Sequence, residues 1–331
     1  MKRYGNIFEK IYSIDNLMEA HKKARRNKSH YTEVKMVNKD QEYRLLKIRN
    51  SLKNQTFTTS DYKVYDIFDG RKHRTIFKLP YYPDRIVQWA IMLQIEPIMT
   101  ETLIFDTYAS IPNKGIHLAV KRLKRAINTE GMYCLKLDVK QFFPSIDQDI
   151  LLSLLGRKFK DRKLMWLLED IIKSTPYGLP IGNYTSQWFA NFYLAYFDHM
   201  VKEDLKLSYF RYMDDMISVS RKKESLWDAL NKISDYLNYH LNLQIKDNYQ
   251  VFPIDARGID FLGYRIYKDH IFLRKSISKK IKRKFHTIKK RHKITKSDMR
   301  SMTSYKGWVD FCTSKKLKQN YIQPVLEGGI K

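Results

Sequence analysis

The 331-residue sequence predicts an α+β fold, because it contains hairpin-like strand segments together with separate helical segments. Residues 132–143 (MYCLKLDVKQFF) place apolar and polar side chains on opposite faces, as a strand does. Residues 56–80 alternate in the same way around Asp69-Gly70, a pair typical of hairpin turns. Residues 186–200 repeat aromatic side chains at helical spacing, which predicts a helix with a core-facing stripe.

Outside these segments, the chain is predicted to be largely helical and to fold as one body with lobes. Residues 6–55 have the pattern of helices with polar faces and include the basic stretch HKKARRNK at 21–28. Residues 83–99 have the composition of a buried helix, and 178–187 (GLPIGNYTSQ) form a glycine-containing entry into the aromatic helix. No repeat or Gly/Ser linker separates the lobes, and 43% hydrophobic residues supply a sizeable core.

The strongly basic composition points to a polyanionic partner. Lys and Arg number 62 against 35 Asp and Glu, which gives a formal net charge of +27. Residues 271–300 hold thirteen of these cations and one acid, and their large apolar residues recur at the spacing of one amphipathic helix. Nucleic acid is the first candidate partner and an anionic membrane the second, while a basic face that contacts only solvent is the third interpretation.

Several other classes of protein are disfavoured. The first residues, MKRYGNIFEKIYSIDN, lack the apolar segment of a secretion signal, and no run of about 18 apolar residues predicts a membrane span. Cys134 and Cys312 are far apart and are interpreted as reduced, buried thiols. The nine His residues show no zinc-ligand spacing. We therefore expect a cytoplasmic protein without a membrane partner or a zinc site.

Paired carboxylates stand where a hairpin turn is predicted. In YFRYMDDMISVS (209–220), Asp214 and Asp215 lie between two β-prone runs without the glycine that a tight turn usually contains. A third carboxylate, Asp138, lies on one face of the 132–143 strand between two lysines. Carboxylates on neighbouring strands repel unless a cation lies between them, and Mg²⁺ prefers hard oxygen ligands. Because two such ions assist phosphoryl transfer, the sequence favours nucleotidyl transfer on nucleic acid.

Taken together, five motifs make the sequence resemble reverse transcriptases. In chain order they are GRKHRTIFKLPYYPDRIVQWA (70–90), LKLDVKQFFPSI (135–146), GLPIGNYTSQ (178–187), YMDD (212–215) and FLGY (261–264). The resemblance covers residues 60–290 and implies a right-hand polymerase with an antiparallel palm sheet and a helical thumb. It implies an N-terminal helical extension at 1–55, fingers and the start of the palm at 56–131, palm at 132–268 with finger helices around 150–185, and thumb at 269–331.

The resemblance also implies roles for individual residues, each at a matching motif position. The catalytic and metal-binding carboxylates would be Asp138, Asp214 and Asp215, with the Val139 carbonyl beside them. The incoming nucleotide would contact fingertip cations, an aromatic ring that excludes a ribose 2′-hydroxyl, and the glycine-containing turn: Arg71, Lys72, Arg74, Phe143, Ile181, Gly182 and Gln187. The remaining assignments are a general acid for pyrophosphate, Lys246, and a primer grip comprising Phe261, Leu262, Gly263 and Tyr264.

Departures from the common motif narrow the resemblance to reverse transcriptases of bacterial and phage diversity-generating retroelements. Many reverse transcriptases have Gln after Leu-Pro in the glycine-containing region and Pro after the later Ser, whereas this chain has Ile181 and Gln187. Members of that group copy a template-repeat RNA with errors at adenines, and the cDNA replaces a variable region of a target gene. An aliphatic Ile181 near the nascent base pair cannot hydrogen-bond the nucleotide, which suggests that it contributes to infidelity.

The resemblance implies a set of partners and one cofactor: template RNA, primer and cDNA, dNTPs, a separate basic accessory variability protein, and two Mg²⁺ ions with Mn²⁺ as the alternative. The protein would be bacterial or phage-encoded. Alternative functions are a reverse transcriptase of another prokaryotic class (phage defence, retron or group II intron-like) and a non-catalytic nucleic-acid-binding protein. The carboxylates argue against the last, because an inactive site has no reason to keep buried like charges. Phe143 as simple core, and Lys72 and Arg74 as solvated turn charges, are the alternatives to their nucleotide-binding roles.

Overall fold

The computed structural model describes residues 2–69, 72–130, 132–291 and 294–327, and it has the predicted α+β composition. Helices surround three antiparallel sheets instead of alternating with parallel strands. A two-stranded hairpin, a four-stranded sheet and a three-stranded sheet follow one another along the chain. The YMDD and FLGY motifs fall on turns between strands, and Asp138 ends a strand, whereas 178–187 leads into a helix.

The N-terminal region is helical, as its sequence predicts. The Ser13 side chain begins one helix by accepting the Asn16 N–H at 3.4 Å, as N-cap serines do. Apolar residues of these helices face a common core, while cations such as Lys23 and Arg26 are exposed. The helices are α1 (Phe8–Ile11), α2 (Ile14–Ala24), α3 (Thr32–Lys39) and α4 (Gln41–Lys53).

The alternating segment after these helices forms the predicted hairpin. Strand β1 (Lys63–Asp69) pairs antiparallel with β2 (Lys72–Lys78) in continuous register. Gly70 and Arg71 lie outside the described residues, so the Asp69-Gly70 turn stays a prediction. Because most side chains of β1 are exposed, the hairpin projects from the body of the protein.

The central sheet has four strands: β3 (Tyr133–Asp138), β4 (Ser208–Tyr212), β5 (Asp215–Ser220) and β6 (Gln250–Pro253). Their order is β4-β5-β3-β6, and each neighbouring pair is antiparallel. The strand predicted from alternation, β3, thus lies inside the sheet between β5 and β6. The hairpin of β4 and β5 carries the paired carboxylates at its tip.

Helices cover the central sheet, and several have side-chain caps. Asp147 accepts the N–H groups of Asp149 and Ile150 at 3.0 Å, and Asp161 accepts that of Leu164 at 3.2 Å. The helices are α5 (Ile86–Thr100), α6 (Ile116–Glu130), α7 (Phe142–Ser145), α8 (Gln148–Lys158), α9 (Arg162–Ile172), α10 (Tyr184–Tyr193), α11 (Ala195–His199), α12 (Lys223–Leu241) and α13 (Ile254–Arg257).

The aromatic helix predicted over 186–200 starts earlier and is interrupted. It begins at Tyr184, and Leu194 leaves helical geometry with φ of −95° and ψ of 3°, which separates α10 from α11. The predicted aromatic stripe is nevertheless core, as expected. Asn191 before the interruption and Asp198 after it both contact the Arg211 guanidinium, so the two helical pieces present polar groups to the same buried point.

The chain after the central sheet forms a small sheet and a helical layer: β7 (Ile259–Phe261), β8 (Tyr264–Ile266), β9 (Ile271–Leu273), α14 (Lys275–Arg291), α15 (Lys296–Asp310), α16 (Lys315–Leu317) and α17 (Gln323–Glu327). The amphipathic basic helix expected within 271–300 is α14, and the same segment also contains β9 and the start of α15, which were not predicted. Thr295 and Asp298 exchange side-chain and backbone hydrogen bonds, a capping box that starts a new helix.

The two faces of the four-stranded sheet line two separate hydrophobic cores. Leu135 and Leu137 of β3 join the core that includes the N-terminal helices and α8 to α12. Cys134 of β3 and Ile217 of β5 join the second core, with α6, the three-stranded sheet and the C-terminal helices. Successive residues of a strand point to opposite faces, so the alternation read from the sequence assigns residues to these two cores.

Two smaller expectations concern the cysteines and the membrane. Cys134 is a buried free thiol, while Cys312 is only half-buried. Burial raises the pKa of both thiols above the usual range. Across the described ranges, no helix combines the length and the apolar composition needed to cross a membrane.

Candidate active site

The carboxylate hairpin closes through a two-residue turn. Tyr212 at the end of β4 pairs with Asp215 at the start of β5, so Met213 and Asp214 form the turn. Met213 has a φ of 58°, a region that costs about 1–2 kcal/mol for a residue with a Cβ atom. Arg211 Nη1 donates to the Met213 carbonyl at 3.1 Å. A buried side chain therefore holds the turn at the position where a glycine is usual.

The third carboxylate lies directly across the sheet from this turn. Asp138 and Asp215 are register partners at the ends of β3 and β5. Burial, followed by the charge of Asp138 and a hydrogen bond with it, raises the pKa of Asp214 to about 6. Burial also raises the pKa of Asp215 to about 6, an effect that Lys136 partly offsets. The carboxylates therefore crowd one end of the sheet and oppose one another's ionisation.

Two lysines compensate part of this charge. Lys246 Nζ lies 2.7 Å from Asp138 Oδ1. Lys136 Nζ lies 3.8 Å from Asp215 Oδ1, beyond hydrogen-bonding distance. Within the described part of the chain, Asp215 Oδ1 is a buried oxygen without a hydrogen-bond partner. A buried acceptor in this state costs about 1–3 kcal/mol, which a bound cation would relieve.

The oxygen donors of the site suit a divalent cation in their chemistry. Mg²⁺ takes carboxylate and carbonyl oxygens, and the unpartnered Asp215 oxygen adds a donor that no protein group satisfies. Among the residues that the structure describes, no three Asp, Glu, His or Cys side chains are already gathered closely enough to hold an ion. Binding an ion at Asp138 requires this residue to share the oxygen that now pairs with Lys246.

In the absence of divalent ions, Asp215→Asn is expected to stabilise the fold at pH 7.5 but not at pH 4. The folded-state pKa of about 6 lies above the ordinary value of 3.8, so ionised Asp215 destabilises the native state. This destabilisation is absent when the pH is below the ordinary pKa of 3.8. It grows as the pH rises from 3.8 to about 6, and it is constant at higher pH. We expect Asn to increase the free energy of unfolding by about 1–3 kcal/mol at pH 7.5.

Urea unfolding in EDTA at the two pH values measures this difference. Asp255→Asn is the matched control, because the Asp255 side chain is 68% exposed and pairs with Lys268 at the surface. Equal changes in the free energy of unfolding at both pH values for Asp215→Asn would contradict the expectation.

The glycine-containing turn before α10 contacts the projecting hairpin. Phe77 of β2 donates its N–H to the Ile181 carbonyl at 2.8 Å. A Cβ atom on Gly182, whose φ is 132°, would lie 2.3 Å from the Phe77 carbonyl oxygen, so only glycine allows this approach. The hairpin and the turn therefore form one continuous wall, to which the turn contributes the predicted nucleotide-binding residues Ile181 and Gly182.

Phe143 and Gln187, two further predicted nucleotide contacts, lie on either side of this turn in the chain. The Phe143 carbonyl accepts the Leu179 N–H at 2.8 Å, so its backbone is tied to the start of the turn. The Phe143 ring is half-buried and packs edge-on against Phe142. Gln187 is exposed on α10, where its Oε1 accepts from the Ser110 hydroxyl at 2.6 Å. The Phe143 backbone therefore contacts the glycine-containing turn, whereas Gln187 lies on the helix that follows the turn.

The fingertip cations are described only in part. Arg71 lies outside the described residues, and Lys72 is described by its backbone alone, as the first residue of β2. Arg74 is exposed on β2. It shares a strand face with Ile76, whose side chain is 3.5 Å from the position of a Cβ on Gly182. The cationic face of β2 is therefore the one that meets the glycine-containing turn.

The FLGY motif forms the tight turn between β7 and β8. Phe261 pairs with Tyr264, and the two residues between them have positive φ: 49° at Leu262 and 85° at Gly263. Positive φ at both central residues is typical of hairpin turns that match strand twist. A Cβ on Gly263 would lie 2.7 Å from the Trp308 ring, so α15 packs directly on the turn. The predicted primer-grip motif therefore rests against the C-terminal helical layer.

A model of the family described as reverse transcriptase (RNA-dependent DNA polymerase) matches residues 69–266, more than half of the chain. This protein belongs to that family. The match includes the carboxylate hairpin, the strand that carries Asp138 and the FLGY turn. It confirms the predicted family, and with the antiparallel sheets it confirms the predicted right-hand polymerase fold.

Two curated relatives of this chain are named for a group II intron and for a retron. The group II intron-encoded protein LtrA of Lactococcus lactis subsp. cremoris is 26% identical over 207 residues, which are 59% of this chain and 34% of LtrA. The retron Ec73 reverse transcriptase of Escherichia coli is 26% identical over 193 residues, 53% of this chain and 60% of the relative. The chain thus spans about a third of the length of the first relative and three-fifths of the second.

Among solved structures, telomerase from Candida albicans in complex with a fragment of telomeric RNA is similar to this reverse transcriptase, with a TM-score of 0.49 and 12% identity. The similarity covers 70% of this chain and 51% of that one. The relatives named for introns and retrons fit the alternative classes, and the diversity-generating class stays a prediction.

The structure of this reverse transcriptase adds site residues that sequence reasoning missed. Lys136, noted only as a neighbour of Asp138, donates from Nζ to the Asp260 carbonyl at 2.5 Å. The Asp260 carboxylate accepts from Arg274 Nε at 2.7 Å. Arg211 holds the carboxylate hairpin, as described above. One sequence signal could have identified Arg211: it is a charged residue within the otherwise uncharged, largely aromatic run YFRYM.

Proposed function

We propose that this reverse transcriptase copies RNA into DNA at the carboxylate end of the four-stranded sheet. The observation that carries the proposal is that Asp138 and Asp215 meet at paired strand ends, with Asp214 on the adjoining turn. Raised pKa values and an unpartnered oxygen support a half-buried anionic centre that bound cations would stabilise. The net charge of +27 suits binding to the phosphates of a template RNA, a primer and the cDNA.

Two Mg²⁺ ions, or Mn²⁺ ions, would be held by the three carboxylates with the Val139 carbonyl beside them. Such ions, when bound, stabilise the attacking and leaving oxygens of nucleotidyl transfer. The protein contributes fixed ligand positions, because strand pairing sets Asp138 and Asp215 and the turn sets Asp214. The Val139 side chain is buried in the main core, which fixes the backbone at this strand end.

The incoming dNTP would lie between the projecting hairpin and the glycine-containing turn. The half-buried Phe143 ring would lie beneath C2′ of the sugar and exclude a 2′-hydroxyl. The wall that joins Phe77 to Ile181 limits how far the nucleotide can shift. The proposed nucleotide contacts are the triphosphate cations Arg71, Lys72 and Arg74, followed by Phe143, Ile181, Gly182 and Gln187.

Lys246 is proposed to protonate the leaving pyrophosphate. Its ammonium group is 2.7 Å from Asp138, so it lies at the edge of the reacting centre and carries a proton that can be donated. The turn at 261–264 is proposed as the primer grip, and the segment from 269 onward as the thumb. Cations of α14 would follow the duplex backbone, apart from Lys284 and Arg291, which pair with Asp298.

Within the family, we propose the diversity-generating class, which makes error-prone cDNA from a template-repeat RNA for mutagenic retrohoming. The support is Ile181 and Gln187 at positions where many reverse transcriptases have Gln and Pro. A separate basic accessory variability protein and a cytoplasmic, bacterial or phage-encoded setting belong to this proposal. The second candidate is a retron or group II intron-like enzyme, which the names of the relatives favour.

Primer extension tests the proposed function. The purified protein, with and without the accessory protein, receives an RNA template, an annealed primer, dNTPs and Mg²⁺. Product that depends on the RNA and disappears with Asp214→Ala supports reverse transcription. Product without template supports a defence-type polymerase, and the absence of product under both conditions supports a binding role.

Ile181→Gln is expected to lower misincorporation opposite template adenine by about tenfold, because one hydrogen bond to the correct nucleotide adds about 1–1.5 kcal/mol of discrimination. Sequencing of cDNA copied from one RNA by both proteins measures the error rate at each base. Misincorporation opposite the other three bases provides the internal comparison. An unchanged error rate at adenine would remove Ile181 as a source of infidelity.

A further inference from the structure

Arg211 is a fully buried cation directly before the YMDD motif. Its side chain and that of Asp198 are both 0% exposed, and their closest oxygen–nitrogen distance is 2.6 Å. A buried charge pair of this kind is stable only when its remaining hydrogen-bonding groups are also satisfied. The Asp198 carboxylate also accepts hydrogen bonds from the Tyr209 hydroxyl at 2.9 Å and from the Thr107 hydroxyl at 3.2 Å.

Every donor of the Arg211 guanidinium has an acceptor. Nε donates to Asp198 at 2.8 Å, and Nη2 donates to Asp198 at 2.6 Å and to the Asn191 carbonyl at 3.1 Å. Nη1 donates to Asn191 Oδ1 and to the Met213 carbonyl, each at 3.1 Å. The planar fork thus has a single orientation that satisfies all partners, which a lysine ammonium cannot reproduce.

One of these bonds fixes the turn that carries Asp214. The Met213 peptide has positive φ, an unfavourable conformation that needs outside support. The Met213 carbonyl belongs to the peptide group that links Met213 to Asp214, so its orientation sets the direction in which the Asp214 backbone leaves the turn. Burial lowers the pKa of Arg211, but Asp198 foremost, then Tyr209 and last Asp214 raise it, so the Asp214 carboxylate also acts on this guanidinium.

The other bonds connect this turn to α10 and α11. Asn191 lies near the end of α10, and its Nδ2 also donates to the Ala109 carbonyl at 2.7 Å. Helix α10 begins directly after the glycine-containing turn at Gly182. The guanidinium therefore joins the helix that follows the proposed nucleotide wall to the hairpin that carries the proposed metal ligands.

We propose that Arg211 is a positioning residue that fixes the Met213–Asp214 peptide and so aims the Asp214 carboxylate at the reacting centre. The role rests on the function proposed above, in which Asp214 is a metal ligand. Arg211 does not touch substrate or ion, and it acts through a backbone carbonyl. The ion pair with Asp198 fixes the orientation of the guanidinium plane, and the hydrogen bond to Asn191 fixes the position of the guanidinium relative to α10.

Arg211→Lys separates this role from charge compensation. Lysine retains a cation for Asp198 but has too few donors, and the wrong geometry, to serve Asp198, Asn191 and the Met213 carbonyl together. We expect kcat for single-nucleotide addition to fall about 30-fold, with the KM for dNTP changed less than about threefold, because only alignment is lost. Mn²⁺ affinity, followed by electron paramagnetic resonance without nucleic acid, should weaken as well.

Tyr209→Phe is the matched control. It removes a buried hydrogen bond to Asp198 in the same network but leaves the bond to the Met213 carbonyl in place. We expect it to lower the urea midpoint while kcat and Mn²⁺ affinity stay within about threefold of wild type. Arg211→Lys rates no lower than those of Tyr209→Phe, measured where both proteins are folded, would overturn the proposal.

Asn191→Ala covers the case in which Arg211→Lys does not fold. It removes one acceptor of Nη1 and leaves the Asp198 pair intact, so kcat should fall about three- to tenfold at unchanged KM, and unaltered kcat would overturn the proposal. If the wild-type protein adds no nucleotide, the proposed function fails, and the Mn²⁺ comparison alone then decides the role of Arg211.

Discussion

Asp214→Asn is expected to lower the rate of nucleotide incorporation by about 1,000-fold without unfolding the protein. Asn keeps the size of the side chain but loses the charge, so it cannot compensate a divalent ion. Metal-ion stabilisation of the reacting oxygens is worth several kcal/mol, and about 4 kcal/mol corresponds to this loss in rate. Single-turnover addition of one dNTP to a primer on RNA, with Mg²⁺ in excess, measures the effect.

Asp247→Asn is the matched control for this experiment. Asp247 lies one position after Lys246, but its side chain is 91% exposed and pairs with Lys140 at 3.2 Å. Exposed pairs of this kind are worth at most about 1 kcal/mol, so we expect a change in rate below about fivefold. An Asp214→Asn rate within about tenfold of wild type would rule out a role for Asp214 as a metal ligand.

Phe143→Ala is expected to raise the incorporation of ribonucleotides relative to deoxyribonucleotides by about 10- to 100-fold. A ring beneath C2′ discriminates by collision with the 2′-hydroxyl, and steric differences of this kind are worth about 1–3 kcal/mol. The ring can act as a fixed obstacle because its backbone is bonded to Leu179 and its edge packs against Phe142. Competition between rCTP and dCTP at one template position measures the ratio.

Phe142→Leu provides the comparison for the steric gate. Phe142 is the neighbouring ring, but it is buried in the main core, whereas the Phe143 ring is half-buried. Its replacement should lower the free energy of unfolding by about 1–2 kcal/mol while leaving sugar discrimination unchanged. If Phe143→Ala alters stability and leaves the ratio of ribonucleotide to deoxyribonucleotide unchanged, Phe143 is simple core.

The sequence was sufficient to predict the strand that carries Asp138 and the hairpin that carries Asp214 and Asp215. Alternation with a period of two assigns faces without knowledge of the partner strand, so both segments could be recognised locally. Sequence order alone could not show that Asp138 and Asp215 are register partners, because pairing between segments distant in the chain depends on the tertiary fold. The family resemblance supplied that missing step.

Arg211 was not predictable from its neighbours. A cation within YFRYM can lie on an exposed strand face or be buried, and the partners that decide are Asp198 and Asn191, 13 and 20 positions earlier. The division of the basic segment was missed for a different reason. Cationic composition remained uniform across it, while a short-range capping box at Thr295 began a second helix.

The four-stranded sheet separates two cores, and this arrangement limits how the enzyme can be divided. The C-terminal helices bring Ile281 and Phe285 to a core whose other wall is the back of β3 and β5. Removing these helices would therefore expose apolar strand residues such as Ile217 to water. The part of the protein proposed to hold the product and the part proposed to make it are thus not exchangeable modules. The C-terminal helices and the back of the sheet share the second core, so removing either part would destabilise the other.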